Sequence, residues 1–138
     1  MRTNRSMPHS TVIPVLAYPD VPAATDWLCA AFGFSVRLRI GAHRAQLNVG
    51  EGSVVAAQGE APAAQAAASH SVMVRVEDVD AHHAQAAAHG ATILQVPQDF
   101  PYGERQYTVE DLAGHRWTFS QSLSDVDPAD WGGELLAD

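Results

Sequence analysis

The chain carries seven histidines, sixteen acidic residues and one cysteine, and their spacing decides what chemistry each could perform. Asp78 and Asp80 resemble a carboxylate pair, but they precede an Ala-rich run, where they fit a helix cap and first turn facing free backbone N–H groups. His82 and His83 are neighbours on that run and project about 100° apart on a helix, which suits a solvated face better than one shared ion. His89 falls at the helix end, where partial charge on an imidazole is favourable. His43 and His115 flank turns and read as surface residues within possible reach of a ligand, and His9 carries no signal. Cys29 sits in a helical stretch with no activating partner and reads as a small buried hydrophobe. No Gly-rich phosphate loop, paired-cysteine zinc pattern or serine nucleophile elbow is present. Two groups do suit a ligand pocket. Tyr102, Arg105 and Tyr107 combine aromatic walls with donors, and Arg44, Gln46 and Asn48 share the polar side of one strand.

The elements that must position these groups form a duplicated plan. His70–Gly90 reads as a strand (Val72, Val74 and Val76 on one face), an Asp78 cap and a helix closed by Gly90. Val15–Val21 shows the same order of signals, with Asp20 as cap, Pro22 in the first turn and Gly33 as terminator. In the first module, strand 11–18 precedes this helix, and Pro14 suggests an edge or a bulge. Phe34, Val36, Leu38 and Ile40 alternate with polar residues as a half-buried strand. Strands 43–49 and 53–58 follow through glycine turns. The second module repeats the order: strand 70–76, helix 79–89, strand 92–96, a loop to Pro101, strand 102–110, the Asp111–Gly114 turn and strand 115–121. Trp27, Trp117 and Phe119 read as core. The domain reading is a loose leader over 1–10, a first β-α-β-β-β module over 11–58, a linker over 59–69, a second module over 70–121 and an acidic tail over 122–138. Pro62 and the lack of large apolar residues favour a linker over a short helix. The tail carries Trp131 and Leu135-Leu136, which could dock on the body or on a partner, or fray.

Composition narrows the function further. The formal charge of −8, with eight scattered basic residues, argues against nucleic-acid or anionic-membrane partners, which need clustered Lys and Arg. A lone cysteine suits a reducing compartment, and no apolar run approaches the roughly 20 residues of a membrane span. A soluble cytoplasmic protein with one α+β domain is the expectation.

The paired plan resembles the glyoxalase/bleomycin-resistance/dioxygenase group, the vicinal oxygen chelate superfamily. The likeness is carried by Val76-Glu77-Asp78-Val79-Asp80, Ala88-His89-Gly90-Ala91, Pro101-Tyr102-Gly103-Glu104-Arg105 and Asp111-Leu112-Ala113-Gly114-His115-Arg116-Trp117. It implies two curved mixed sheets around a concave cavity, helices on the outer side, a small organic ligand and a homodimer. Metal-dependent members hold a divalent ion with His, Glu or Gln on inward positions of the first and last strands of each module. If the helices cover the more apolar side of each sheet, Ser71, Met73 and Arg75 turn inward, as do Arg116, Thr118 and Ser120. Family position then makes the ligands Ile13, Ser71 and Thr118 with a fourth near Gln58, which is no normal set for a catalytic ion. His70, one residue from a ligand position, is the metal candidate that a small bulge would be needed to bring inward. The resemblance also places Tyr102, Arg105 and Tyr107 where one side of the cavity closes, and Arg75 and Arg116 would favour an anionic or carboxylate-bearing ligand. The expectation is a ligand-binding protein of the bleomycin-resistance type without a catalytic metal. The alternatives are a metal-dependent lyase, isomerase or dioxygenase using His70 and a divalent ion, and a partner-binding protein using the Trp131 tail.

Overall fold

The computed structural model describes residues 2–137. The first module comprises β1 (Val15–Tyr18), α1 (Val21–Phe32), β2 (Ser35–Ile40), β3 (Arg44–Val49) and β4 (Gly52–Gln58). A single helical turn, α2 (Ala64–Ala67), interrupts the connection, so the stretch expected to be an unstructured linker is partly helical. Pro62 lies before the turn and costs it no hydrogen bond. The second module comprises β5 (Val72–Arg75), α3 (Val79–Ala88), β6 (Thr92–Phe100), β7 (Glu104–Glu110) and β8 (Arg116–Ser122). A 3-10 turn over Pro128–Trp131 follows.

Each module forms a four-stranded sheet, ordered β1-β4-β3-β2 and β5-β8-β7-β6. The outer pairs β1/β4 and β5/β8 are parallel and the rest antiparallel. The helices that permit the parallel pairing start as the aspartates dictate: Asp20 accepts from Ala23 N–H and Asp78 from Ala81 N–H, both at 3.0 Å. Gly33 closes α1 in a left-handed conformation at φ 76°. Strand ends differ most from the pattern-based bounds at two places. Residues 11–14 do not belong to β1, where Pro14 cannot donate to a ladder, and β6 runs on through Pro97 to Phe100 with two register shifts.

The helix sides of both sheets close on one another in one core. Leu16, Tyr18, Leu28, Phe32 and Leu47 of the first module join Val79, Tyr107, Trp117 and Phe119 of the second. Phe32 sits at the seam, its ring centroid 4.9 Å from Phe119 and 5.6 Å from Trp117. Trp27 is half-buried and ties α1 to the end of α3 by donating to the His89 carbonyl at 2.8 Å. Burying the shared face in this way leaves each sheet's other, concave side outside the core.

The apolar alternation of β2 does not stay on one face. Val36 opposes Leu47 on the helix side, then a register shift at Arg37 places Leu38 opposite Gln46 and Ile40 opposite Arg44 on the concave side. A one-residue slip exchanges faces because side chains alternate with period two.

Candidate functional site: two unlike troughs

The register sorts side chains into rows across each concave side. In the first sheet, Val15, Val55, Gln46 and Leu38 form one row, and Ala17, Ala57, Arg44 and Ile40 the next. In the second, Met73, Thr118, Thr108 and Gln95 align, as do Arg75, Ser120, Gln106 and Gln98. The same architecture therefore presents a mostly apolar floor in one module and a polar floor in the other.

The second floor is hydrogen-bonded to itself. Tyr102 Oη donates to Gln106 Oε1 at 3.2 Å, Gln106 Nε2 to Ser120 Oγ at 3.0 Å, and Ser120 Oγ to Glu104 Oε1 at 2.7 Å. Thr108 and Thr118 hydroxyls meet at 3.3 Å. Arg116 lies 4.0 Å from Glu110, whereas Arg75 and Met73 stand exposed at the edge strand. One wall is aromatic: Phe100 stacks on Tyr102 at 5.4 Å, and Trp131 leans on Tyr102 at 5.2 Å. The tail thus docks on the body at this end of the second sheet. Leu123 N–H also bonds the Gly103 carbonyl at 2.8 Å. A groove of about 610 Å³ continues from Met73 and Arg75 past Val72 to Val12, Pro14 and Ser53 of the first module.

Several residues expected in the cavity stand elsewhere. Tyr107 is fully buried on the helix side, because it pairs with Phe119 and not with Thr118 or Ser120. Arg105 shares that side and is held at its rim by Asp80 of α3 (3.1 Å) and Asp99 of β6 (2.9 Å). Gln46 does lie on the concave side but is 4% exposed and already bonded to the chain's own leader. Ser71 precedes β5 and is exposed. Arg44, Met73, Arg75, Tyr102, Arg116 and Thr118 lie on the concave sides.

The metal positions offer little. Gln58 is exposed and in register with Tyr18, on the helix side. Thr118 is bonded to Thr108, and His70 lies exposed ahead of β5 with Nδ1 3.1 Å from Ser69 Oγ. Among the described residues no three His, Cys, Asp or Glu side chains are grouped to hold an ion. A bulge at His70 would bring only one nitrogen ligand to neutral hydroxyls, which bind divalent ions poorly.

Two histidines read as surface residues are instead structural. His82 is half-buried, with Nε2 2.9 Å from the Phe32 carbonyl and Nδ1 2.6 Å from Tyr107 Oη. A carbonyl can only accept, so Nε2 carries the proton and Nδ1 accepts from the phenol. Burial holds this imidazole below its ordinary pKa, opposed by the Phe32 bond, and burial raises that of Tyr107. His115 is buried and bonds the Ala17 carbonyl through Nε2 at 2.7 Å. Sequence reasoning placed Asp111 in a turn but missed its buried role. Its Oδ1 accepts from the Ala113 and His115 amides, both at 3.0 Å, and its Oδ2 accepts from Tyr18 Oη at 2.6 Å and Trp117 Nε1 at 3.1 Å. Burial and the Asp111 carboxylate together push the Tyr18 phenol far above its ordinary pKa. The available signal was an aspartate opening a glycine-closed turn, which marks the turn but not its distant partners.

A family model, glyoxalase/bleomycin resistance protein/dioxygenase superfamily, matches residues 8–119. Among solved structures, TioX from Micromonospora sp. ML1 is similar at 40% identity and TM-score 0.69, over 83% of this chain and 99% of that one. A glyoxalase/bleomycin resistance protein/dioxygenase family enzyme from Burkholderia phytofirmans PsJN shares the fold at 17% identity and TM-score 0.67, over 80% and 97% of the two chains. Fosfomycin resistance protein FosX from Mesorhizobium loti does so at 16% identity and TM-score 0.65, over 84% and 94%. No curated protein matches the chain.

Proposed function

The chain belongs to the glyoxalase/bleomycin resistance protein/dioxygenase superfamily, and from that premise we propose that it binds a small organic ligand between an apolar and a polar trough, without a catalytic metal. The observation that carries this reading is the contrast between the two floors. Val15, Val55, Leu38 and Ala57 offer apolar contact. Gln106, Ser120, Thr118 and Tyr102 offer neutral hydrogen bonds, and exposed Arg75 offers a cation. A cavity built from such halves suits an amphipathic molecule with an apolar or aromatic body and an anionic or carboxylate group.

The metal-free part rests on donor chemistry: the resemblance assigns the ligands to Ile13, Ser71 and Thr118 with a fourth near Gln58, and none of these is His or a carboxylate. Sequestration needs only shape and complementary polarity. Because the two modules of one chain join through their helix sides, a second copy is required to bring an apolar trough opposite a polar one, and the working form in this reading is a homodimer.

Thermal stabilisation tests the reading. Aromatic carboxylates should raise the melting temperature saturably, and their neutral amide counterparts should do so less. Arg75→Met should weaken carboxylate binding by about tenfold, the loss of one charge-assisted contact. After chelator treatment, nickel, zinc, manganese and iron(II) should give no shift. A stoichiometric ion whose stabilisation disappears in His70→Ala would overturn the metal-free reading.

A further inference from the structure

Gln46 is 4% exposed although its row faces away from both helices. What it bonds is the segment ahead of β1. Gln46 Nε2 donates to the Ser6 carbonyl at 2.9 Å, and Arg37 Nη2 donates to the Arg5 carbonyl at 3.0 Å. Arg37 Nη1 donates in turn to Gln46 Oε1 at 2.5 Å, which joins the two donors in one clamp. The segment is shaped to meet them: Asn4 Oδ1 accepts from Ser6 N–H at 3.0 Å, the Asn4 carbonyl accepts from Met7 N–H at 3.2 Å, and Pro8 is buried. The register shift at Arg37 is part of the device, because it falls where Arg37 can reach Gln46 from the neighbouring strand.

We infer that residues 4–8 form a strap over the Gln46 part of the first trough, so that this part is covered by its own chain and admits another molecule only when the strap lifts. The strap is held by backbone carbonyls, while the side chains of residues 4–7 stay exposed. The clamp therefore recognises two successive carbonyl oxygens presented by a turn, and a carbonyl-bearing ligand competes for the same two donors. Two such hydrogen bonds exchange readily with water and allow reversible opening. This deepens the ligand-binding reading and rests on it only for what replaces the strap; the covering of this part of the trough stands on its own contacts.

Trypsin cleavage after Arg5 reads the strap without any ligand, because a protease must draw the bond out of the trough to cut it. In the native full chain the Arg5–Ser6 bond should be cut at least about tenfold more slowly than in a free peptide of residues 1–12. Gln46→Leu and Arg37→Met should each restore much of that rate. Arg39→Met, on the same strand but outside the clamp, should leave it unchanged. Cleavage of the native chain as fast as the peptide would overturn the strap, as would protection that persists in both clamp variants. Should either variant fold poorly, the comparison of native chain with peptide still decides. Neither arm uses a ligand, so a negative ligand screen and a negative strap result remain separate outcomes.

Discussion

At the residue scale, the chemistry visible in the sequence and the chemistry used by the fold concern different side chains. His82 looks like a solvated helix residue next to His83, but it is enclosed by Phe32, Tyr107 and Phe119 at the seam between modules. Its pKa is lowered from 6.5 by burial, so between the native and unfolded pKa values the unfolded chain binds more protons. Stability is therefore full above about pH 6.5 and falls as the pH drops from there towards the native value. Urea unfolding at pH 7.5 and pH 5.5 should show this loss, and His82→Gln should shrink it. Asp111 is the other concealed centre. Asp111→Ala strips one carboxylate from four donors and leaves Tyr18 Oη and Trp117 Nε1 buried without a partner. A loss of about 3–5 kcal/mol in denaturant unfolding is expected. Tyr18→Phe, which removes one donor, should cost about 1–2 kcal/mol.

At the element scale, caps and turns were legible because their signals are local. Asp20, Asp78, Gly33 and the glycine turns act within a few residues of themselves, and the helices start where those aspartates stand. Strand faces were legible only while the register held. The shift at Arg37 moved Leu38 and Ile40 into the first trough, and no period-two pattern announces a bulge whose cause lies in the facing strand. Tyr107 and Arg105 were misplaced for a related reason, since which parity of β7 faces the helices is fixed by its pairing with β8. The tail adds an element-scale test. Gly103 has φ +83°, and an added Cβ would lie 2.5 Å from the Ser124 carbonyl oxygen. Gly103→Ala should therefore cost about 1–3 kcal/mol and release residues 123–131 from Tyr102, detectable as increased Trp131 solvent exposure in fluorescence quenching.

At the scale of the whole molecule, exposed Val12, Val15 and Met73 lie near the free edges of β1 and β5, beside the groove that joins the modules. The proposed homodimer would cover such a surface. Sedimentation should give about twice the 14.7 kDa chain mass, and a Val15→Asp/Met73→Asp double substitution should weaken the dimer by at least tenfold, as expected for charges placed on a buried apolar contact. By itself the sequence determined the duplicated β-α-β-β-β plan and the family, because periodicity, caps and residue types are properties of short stretches. Only the tertiary structure decided that the two troughs differ in polarity, that the leader covers part of one of them, and that His82, His115 and Asp111 are internal. Those outcomes depend on register and on contacts between residues as far apart as Ala17 and His115, which no local pattern encodes.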